Sequence, residues 1–103
     1  MNKYNAKKTT IDGITFDSKK EGARYSELKL RLRDKNNPIT NLKLQPKFKC
    51  VVNDKTICTY IADFRYLEND KLVVEDTKGF KTPVYRLKKK LVEALFGIEI
   101  LET

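Results

Sequence analysis

The residues of this sequence that are best suited to chemistry are two aspartates and a lysine. Asp63 lies in an otherwise apolar run, Asp76 ends a second such run thirteen residues later, and Lys78 follows it by two residues. Carboxylates that meet in space can bind a divalent cation, and an adjacent lysine can stabilise developing negative charge. Whether the three side chains meet depends on how the two runs pair.

A short turn between the two runs sets the expected pairing. Asn69-Asp70 has the composition of a two-residue hairpin loop. If Glu68 faces Lys71 across this turn, the numbers of opposed residues add to a constant along the ladder. Asp63 then falls directly opposite Asp76. Directly opposed residues share one face of the sheet, with Cβ atoms about 4.5–5.5 Å apart.

Strand alternation adds the lysine to this face. Lys78 points the same way as Asp76, whereas Glu75 points to the opposite face. Two opposed carboxylates repel each other, and a hard divalent cation with oxygen ligands relieves that repulsion. The alternative is purely structural. Asp63 would form an ion pair with Lys78 or Arg65, the second aspartate would be exposed, and no metal would bind.

A helix is predicted ahead of these strands. Ser18 and Glu21 form the S-x-x-E pattern of a capping box, and Asn36-Asn37-Pro38 ends the helical pattern. We expect the helix to run to about Arg33. Glu21 falls on its inward-facing stripe, so a carboxylate stands at the start of a buried face. The other members of the stripe are Tyr25, Leu28 and Leu32.

Three strand-like segments follow this helix. They cover about residues 44–52, 56–67 and 72–78, and they are joined by turns at Asn53-Asp54-Lys55 and Asn69-Asp70. Short turns between consecutive segments predict an antiparallel meander. Apolar residues occur on both faces of these strands, which predicts helices packed on both sides of the sheet.

A second helix and a final strand complete the pattern. Thr82-Pro83 has the form of an N-cap followed by proline at the first helical position, and Gly97 is a helix stop. Residues 98–101 form the last predicted strand. One face of the second helix carries Val84, Leu87, Leu91 and Leu95.

The order of elements predicts the fold class. Helix, three strands, helix and strand indicate an α/β fold with a central mixed sheet flanked by two helices. Residues 11–103 are expected to form a single domain, because no linker or repeat divides them. Residues 1–10 are polar, basic and aperiodic, which indicates a flexible arm.

The composition narrows the possible chemistry. The sequence contains 22 Lys+Arg against 14 Asp+Glu, a net charge of +8, which favours a polyanionic partner such as nucleic acid, although a basic surface also provides solubility. Histidine is absent, which excludes Ser-His-Asp, Cys-His and His-metal sites. Two cysteines cannot complete a four-ligand zinc site alone. With no apolar stretch of membrane-spanning length, we expect a cytoplasmic protein.

Four stretches of the chain carry a family resemblance when they occur in this order. They are Tyr4-Asn5-Ala6-Lys7-Lys8, Phe16-Asp17-Ser18-Lys19-Lys20-Glu21, Tyr60-Ile61-Ala62-Asp63-Phe64 and Val74-Glu75-Asp76-Thr77-Lys78-Gly79-Phe80. Together they resemble the PD-(D/E)xK nuclease superfamily, and more closely a family of small phage and prophage proteins within it. The resemblance covers nearly the whole chain and implies a restriction-endonuclease-like αβββαβ core. One departure is Ala62, which stands where the superfamily pattern has a proline.

The resemblance implies a role for each matching residue. Asp63 and Asp76 would ligate Mg²⁺ or Mn²⁺, assisted by the backbone carbonyl of Thr77. Lys78 would orient the attacking water or stabilise charge on the phosphate. Glu21 matches an acid that many members contribute to the metal from the first helix, and helix capping is an equal explanation for it.

The implied activity is a metal-dependent DNA endonuclease, of a kind that in small phage members often resolves branched DNA such as Holliday junctions. Cutting two strands symmetrically needs two active sites, so a homodimer is expected, with a phage or host DNA-processing partner possible in the host cytoplasm. A noncatalytic DNA-binding accessory protein with the same fold is the alternative. The basic side chains expected to contact DNA, or otherwise only solvent, are Lys19, Lys20, Lys81, Arg86, Lys88, Lys89 and Lys90.

Overall fold

In the computed structural model, which describes residues 7–77 and 81–103, a β-hairpin and a helix are followed by five strands, a second helix and a last strand. The chain divides into two compact units, Met1–Ile39 and Thr40–Thr103. The first contains β1 (Thr9–Ile11), β2 (Ile14–Phe16) and α1 (Lys19–Arg31). The second contains β3 (Thr40–Leu44), β4 (Lys47–Val52), β5 (Lys55–Ile61), β6 (Phe64–Glu68), β7 (Lys71–Asp76), α2 (Pro83–Phe96) and β8 (Ile100–Glu102).

Three two-residue turns form the hairpins. Asp12-Gly13 joins β1 to β2, Asn53-Asp54 joins β4 to β5, and Asn69-Asp70 joins β6 to β7. Both residues of each turn have positive φ. Asn, Asp and Gly tolerate this left-handed backbone, and the resulting turns match the natural twist of paired strands. The predicted turns at Asn53-Asp54 and Asn69-Asp70 are therefore confirmed, whereas Lys55, which was predicted as part of the first of them, begins β5.

Helix α1 begins as the capping pattern predicts. Ser18 is its N-cap, and the Ser18 hydroxyl accepts a hydrogen bond from the backbone N–H of Glu21 at 3.1 Å. Tyr25 and Leu28 are buried, as predicted. Leu32 is not, because α1 ends at Arg31 and leaves Leu32 as a C-cap that is 38% exposed. The inward-facing stripe is thus one residue shorter than predicted.

A glycine lets α1 approach β1 closely. A Cβ atom added to Gly22 would lie 2.6 Å from Thr9 Cγ2 and 3.1 Å from Ile11 Cδ1. The Tyr25 hydroxyl donates to Asp12 Oδ2 at 2.9 Å and anchors the helix to the first turn. These contacts fix α1 on the β1–β2 hairpin.

The first two predicted strands are each interrupted. Segment 44–52 is interrupted at Gln45-Pro46, where Gln45 has a left-handed φ of 52° and Pro46 has no N–H to donate. Segment 56–67 is interrupted opposite this break, at Ala62-Asp63. The breaks remain linked, because Gln45 N–H donates to the Asp63 carbonyl at 2.9 Å and Ala62 N–H to the Pro46 carbonyl at 3.1 Å. One long hairpin therefore bends into the pairs β4–β5 and β3–β6.

The second unit contains a mixed sheet. Its strand order is β3-β6-β7-β8, with β7–β8 parallel and the other pairs antiparallel. Helix α2 makes the crossover that a parallel pair requires. It begins after the N-cap Thr82 and ends at Gly97, whose φ is 64°, as the sequence predicts. The expectation of an α/β fold with a mixed sheet and two helices is confirmed.

The buried face of α2 is not the predicted stripe. Tyr85 and Val92 are its buried residues, and they pack in a core cluster with Val74 and Ile100. Apolar residues cover much of this helix, and the side that carries the large Tyr85 ring meets the sheet. The exposed fractions of the predicted stripe are 63% at Val84, 69% at Leu87 and 42% at Leu95, and Leu91 is partly buried.

Two further features bear on the sequence predictions. Residues 1–6 of the predicted arm lie outside the described residues, and Thr9 and Thr10 belong to β1. Cys50 and Cys58 are direct partners on β4 and β5, and both are free thiols. Within residues 7–77 and 81–103, no helix combines the length and the apolar character needed to cross a membrane.

Candidate functional site

Asp63 lies at the bend of the long hairpin, between β5 and β6. Its carbonyl accepts the N–H of Gln45, and its own N–H donates to the Glu75 carbonyl at 3.1 Å. The backbone of Asp63 is therefore held from both sides. Its side chain, which is partly buried, accepts the backbone N–H of Thr77 on Oδ2 at 2.7 Å.

Asp76 is the last residue of β7 and is fully buried. Its Oδ2 accepts a hydrogen bond from the Tyr60 hydroxyl, and its carbonyl accepts the N–H of Thr103 at 3.0 Å. Since Thr77 follows Asp76 directly, the hydrogen bond from Thr77 holds the Asp63 carboxylate beside the peptide bond that ends β7. The two predicted aspartates are thus neighbours in the structure.

The route to this proximity differs in part from the predicted one. Glu68 faces Lys71 and Phe64 faces Glu75, so the predicted register holds for five pairs. The ladder stops there, because the chain bends at Asp63 and its N–H bonds to the Glu75 carbonyl. Asp63 reaches the end of β7 through its side chain rather than as a regular partner of Asp76.

Two further residues, Lys78 and Glu21, were predicted to belong to the site. Lys78 lies outside the described residues. Glu21 belongs to the first unit, where it is 8% exposed in the first turn of α1. The Ser18 hydroxyl caps the backbone N–H of Glu21, which any residue at this position would supply. Both roles of the Glu21 side chain, as a metal ligand and as the acid of the capping box, remain predictions.

Sequence reasoning missed a chain of polar contacts behind Asp76. Tyr60, which donates to Asp76, lies with its ring centroid 6.4 Å from that of Tyr85. The Tyr85 hydroxyl in turn donates to Glu102 Oε2 at 2.7 Å. Burial, together with the hydrogen bond to Asp76, raises the pKa of Tyr60 well above its ordinary value, so this hydroxyl is a donor at neutral pH. Both tyrosines resembled ordinary core residues in the sequence.

Glu102 connects this series of polar contacts to two lysines. The hydrogen bond from Tyr85, aided by Lys81 and Lys89, lowers the pKa of Glu102 to about 2. Lys81 Nζ lies 3.2 Å and Lys89 Nζ 3.4 Å from Glu102 Oε1. Its position next to Asp76 follows from the parallel register of β7 and β8, which pairs the two residues. No local sequence signal reports that register.

A buried carboxylate also lies on the other face of β7. Glu75 is fully buried, and its Oε2 accepts a hydrogen bond from the Tyr66 hydroxyl. Its cross-strand partner is Phe64, which is also fully buried. The prediction that alternation turns Glu75 away from Asp76 therefore agrees with their separate tyrosine partners.

The predicted DNA-binding residues of α2 divide between its two flanks. Lys81, Arg86, Lys89 and Lys90 line one cavity of about 450 Å³, together with Glu93 and Glu102. Lys88 lines a different cavity, beside Tyr60, Val84 and Tyr85. Four cations around one concave surface can bind closely spaced phosphates, and we name this surface the basic cavity. Lys19 and Lys20 are exposed in the first turn of α1.

The chain was compared with known proteins. A family described as "Protein of unknown function (DUF1064)" matches residues 1–99. The chain belongs to the DUF1064 family. No curated protein and no solved structure matches it. The chemistry of this DUF1064 chain must accordingly be argued from its own residues.

The two aspartates of this DUF1064 chain suit a hard divalent cation. Each carboxylate has about four acceptor positions on its two oxygens, so the bonds from Thr77 and Tyr60 are compatible with a metal bond to the same group. In the part of the chain that the structure describes, no cluster of three or more His, Cys, Asp or Glu side chains is arranged to hold a metal. Further ligands would be a backbone carbonyl such as that of Thr77, water, or the substrate phosphate, which Mg²⁺ commonly accepts.

Proposed function

We propose that this chain is a divalent-metal-dependent endonuclease that hydrolyses DNA phosphodiester bonds. The observation that carries the proposal is the hydrogen bond from Thr77 N–H to the Asp63 carboxylate, which brings a second acid beside the buried Asp76. Two carboxylates at neighbouring backbone positions can together bind a hard divalent cation, which prefers oxygen ligands. A net charge of +8 suits the chain to a polyanionic substrate.

The proposed roles divide between the two aspartates and their neighbours. Asp63 and Asp76 would hold Mg²⁺ or Mn²⁺, with Glu21 and the Thr77 carbonyl as proposed further ligands. When bound, the cation polarises the scissile phosphate and lowers the pKa of a bound water. This chemistry requires no histidine, which agrees with a sequence that has none. Lys78 would stabilise the charge that develops on the phosphate.

The basic cavity supports nucleic acid as the substrate class. Its four cations would bind the phosphate backbone, and contacts of that kind carry no sequence information. Lys88 on the other flank of α2, and Lys19 and Lys20 in the first unit, are further proposed DNA contacts. Contacts to the phosphate backbone favour recognition of DNA structure, such as a branched junction, over recognition of a base sequence.

The order of the elements supports the finer fold proposal. After the first hairpin, α1, three long strand segments, α2 and β8 follow in the order of the αβββαβ core of PD-(D/E)xK nucleases. We propose that the chain has this restriction-endonuclease-like core. A homodimer would supply the two active sites that symmetric cleavage needs, in a phage-encoded protein acting in the host cytoplasm with a DNA-processing partner.

The test is a cleavage assay with a matched pair of isosteric variants. Purified protein is incubated with supercoiled plasmid, linear duplex and a four-way junction, in Mg²⁺, Mn²⁺ or EDTA. Asp76→Asn removes the charge at the proposed site, and Glu75→Gln removes the charge of the adjacent buried carboxylate on the other face of β7. Wild type and Glu75→Gln should cut at least one substrate, and Asp76→Asn should be slower by about 10²-fold or more, as for loss of a major electrostatic contact.

Two results would refute the nuclease proposal. The first is the absence of metal-dependent cleavage by the wild type on all three substrates, and the second is equal cleavage by both variants. DNA binding without cleavage would instead support the noncatalytic accessory protein. The basic cavity accounts for such binding equally well.

A further inference from the structure

Two adjacent buried carboxylates each accept a tyrosine hydroxyl, on opposite faces of β7. Tyr66 donates to Glu75, and Tyr60 donates to Asp76. All four residues are at least 96% buried. The two pairs share the same chemistry, so a difference in their behaviour must come from what each carboxylate does.

The Tyr60 pair spans a gap between strands that do not pair with each other. Tyr60 belongs to β5, whose partner is β4, while Asp76 ends β7, whose partners are β6 and β8. The hydroxyl therefore crosses from one strand pair to the end of another. The Tyr66 pair lies within one ladder, because β6 and β7 are partners.

A donor placed in this way restrains the aspartate side chain. An aspartate at a strand end can rotate its carboxylate about the last side-chain torsion, which is broad. A hydrogen bond to Oδ2 from a buried tyrosine fixes that torsion, and Tyr60 itself is held by packing against Phe48 and Tyr85, with ring centroids 6.4 Å away in each case. Partners of this kind orient metal-binding carboxylates and commonly change metal affinity 10–100-fold when removed.

We propose that Tyr60 is a positioning residue that holds the Asp76 carboxylate in the orientation required to bind a divalent cation. This proposal rests on the proposed function, because it needs Asp76 to be a metal ligand. It makes no claim on Glu75. Tyr66 therefore provides the matched control.

The experiment measures Mn²⁺ binding directly, without DNA, by the electron paramagnetic resonance signal of free Mn²⁺. The proteins are the full-length wild type, Tyr60→Phe, Tyr66→Phe and Asp76→Asn. Each phenylalanine variant removes one buried hydroxyl from one buried carboxylate, so both should lower the melting temperature. Only Tyr60→Phe should raise the Mn²⁺ Kd, by about 10–100-fold, with Tyr66→Phe within about two-fold of wild type.

A kinetic measurement separates positioning from a structural role. The Mn²⁺ concentration for half-maximal cleavage should rise with the Kd in Tyr60→Phe, while the rate at saturating Mn²⁺ recovers to near the wild-type value. An unchanged Kd in Tyr60→Phe, or equal losses in both tyrosine variants, overturns the positioning role. A tighter Kd also overturns it, because the hydroxyl would then compete with the metal.

The outcomes distinguish this proposal from the function on which it rests. If wild type binds Mn²⁺ and Asp76→Asn does not, the metal site stands and Tyr60 alone is under test. If wild type binds no Mn²⁺, both proposals fall. If Tyr60→Phe does not fold, the hydroxyl proton of Tyr60 is observed by NMR in the wild-type protein instead. The resonance of this proton should persist when Mg²⁺ is added. Loss of the resonance on Mg²⁺ binding would overturn the proposal.

Discussion

Glu102→Gln should make the protein less stable and yet a tighter binder of DNA. Glu102 accepts a hydrogen bond from Tyr85 and forms ion pairs with Lys81 and Lys89 at the edge of the basic cavity. Glutamine keeps the size of the side chain and removes its charge. The substitution therefore weakens three contacts and releases two lysines to bind phosphate.

The two magnitudes follow from these contacts. A hydrogen bond to a charged group contributes about 1.5–3 kcal/mol, and partly exposed ion pairs contribute up to about 1 kcal/mol each. Because glutamine can still accept from Tyr85, we expect a net loss of about 1–2 kcal/mol, or roughly 5–10 °C in Tm. Removing one negative charge near a bound phosphate is worth about 1 kcal/mol in water, which is about five-fold in Kd.

The stability effect has a defined pH dependence. The pKa of Glu102 is about 2 in the folded chain, against an ordinary value of 4.5. A lowered folded-state pKa gives stability that is complete above pH 4.5 and is lost as the pH falls through about 2. The difference between wild type and Glu102→Gln should therefore be constant from pH 5 to 8 and shrink towards pH 2.

The assays are urea unfolding across this pH range and duplex binding by fluorescence anisotropy in 50 and 200 mM salt. The control is Glu99→Gln, which removes the same charge from an exposed residue that does not line the cavity. Glu99→Gln should change both the free energy of unfolding and the Kd for DNA by less than Glu102→Gln does. Weaker DNA binding by Glu102→Gln would show that Glu102 does not hold Lys81 and Lys89 away from phosphate. A stability difference that grows towards low pH would show that the ionised form of Glu102 does not stabilise the fold.

Three further predictions follow from the described contacts. Lys81→Ala should weaken duplex binding uniformly across sequences and reduce the slope of log K against log salt by about 1, and Lys88→Ala, on the other flank of α2, should do less. Val92→Ala should lower the free energy of unfolding by about 2 kcal/mol, whereas Leu87→Ala should change it by less than about 0.5 kcal/mol; urea unfolding checks both. Gly22→Ala should destabilise the chain despite the higher helix propensity of alanine, because its Cβ would meet Thr9; a rise in Tm would contradict that packing.

Features set by local chemistry could be predicted from the sequence. Asp12-Gly13, Asn53-Asp54 and Asn69-Asp70 form turns because their own residues tolerate positive φ. Thr82 and Gly97 delimit α2 because a side-chain cap and a left-handed residue act within one turn of the helix. The register of β6 and β7 follows from its turn in the same way.

Features set by contacts between distant residues could not be predicted from the sequence. The break at Ala62-Asp63 depends on Gln45 and Pro46 in the facing segment, which the alternation of apolar residues does not reveal. Periodicity selected the apolar stripe around Leu87 as the inner face of α2, and that prediction was wrong. The buried face is set by the partners of Tyr85 and Val92 in the folded chain, which a single helical pattern does not contain.

The candidate site also combines features that the sequence predicts with features that it does not. Alternation and a turn predicted that Asp63 lies close to the end of β7, but the predicted direct pairing of Asp63 with Asp76 was wrong, because the chain bends at Asp63. Tyr60 and Glu102 were missed, because they reach Asp76 from β5 and β8. Contacts between strands that are distant in sequence can be predicted only when the order of the strands in the sheet is known.

We propose that Asp63 and Asp76 together hold a divalent cation. The most direct test is a crystal structure of the protein soaked in Mn²⁺, read by anomalous diffraction at the manganese edge. We expect one strong peak within about 2.4 Å of a carboxylate oxygen of each aspartate. A fully occupied peak elsewhere on the chain, or none at Mn²⁺ concentrations that saturate the protein in solution, would show that these aspartates do not form the metal site.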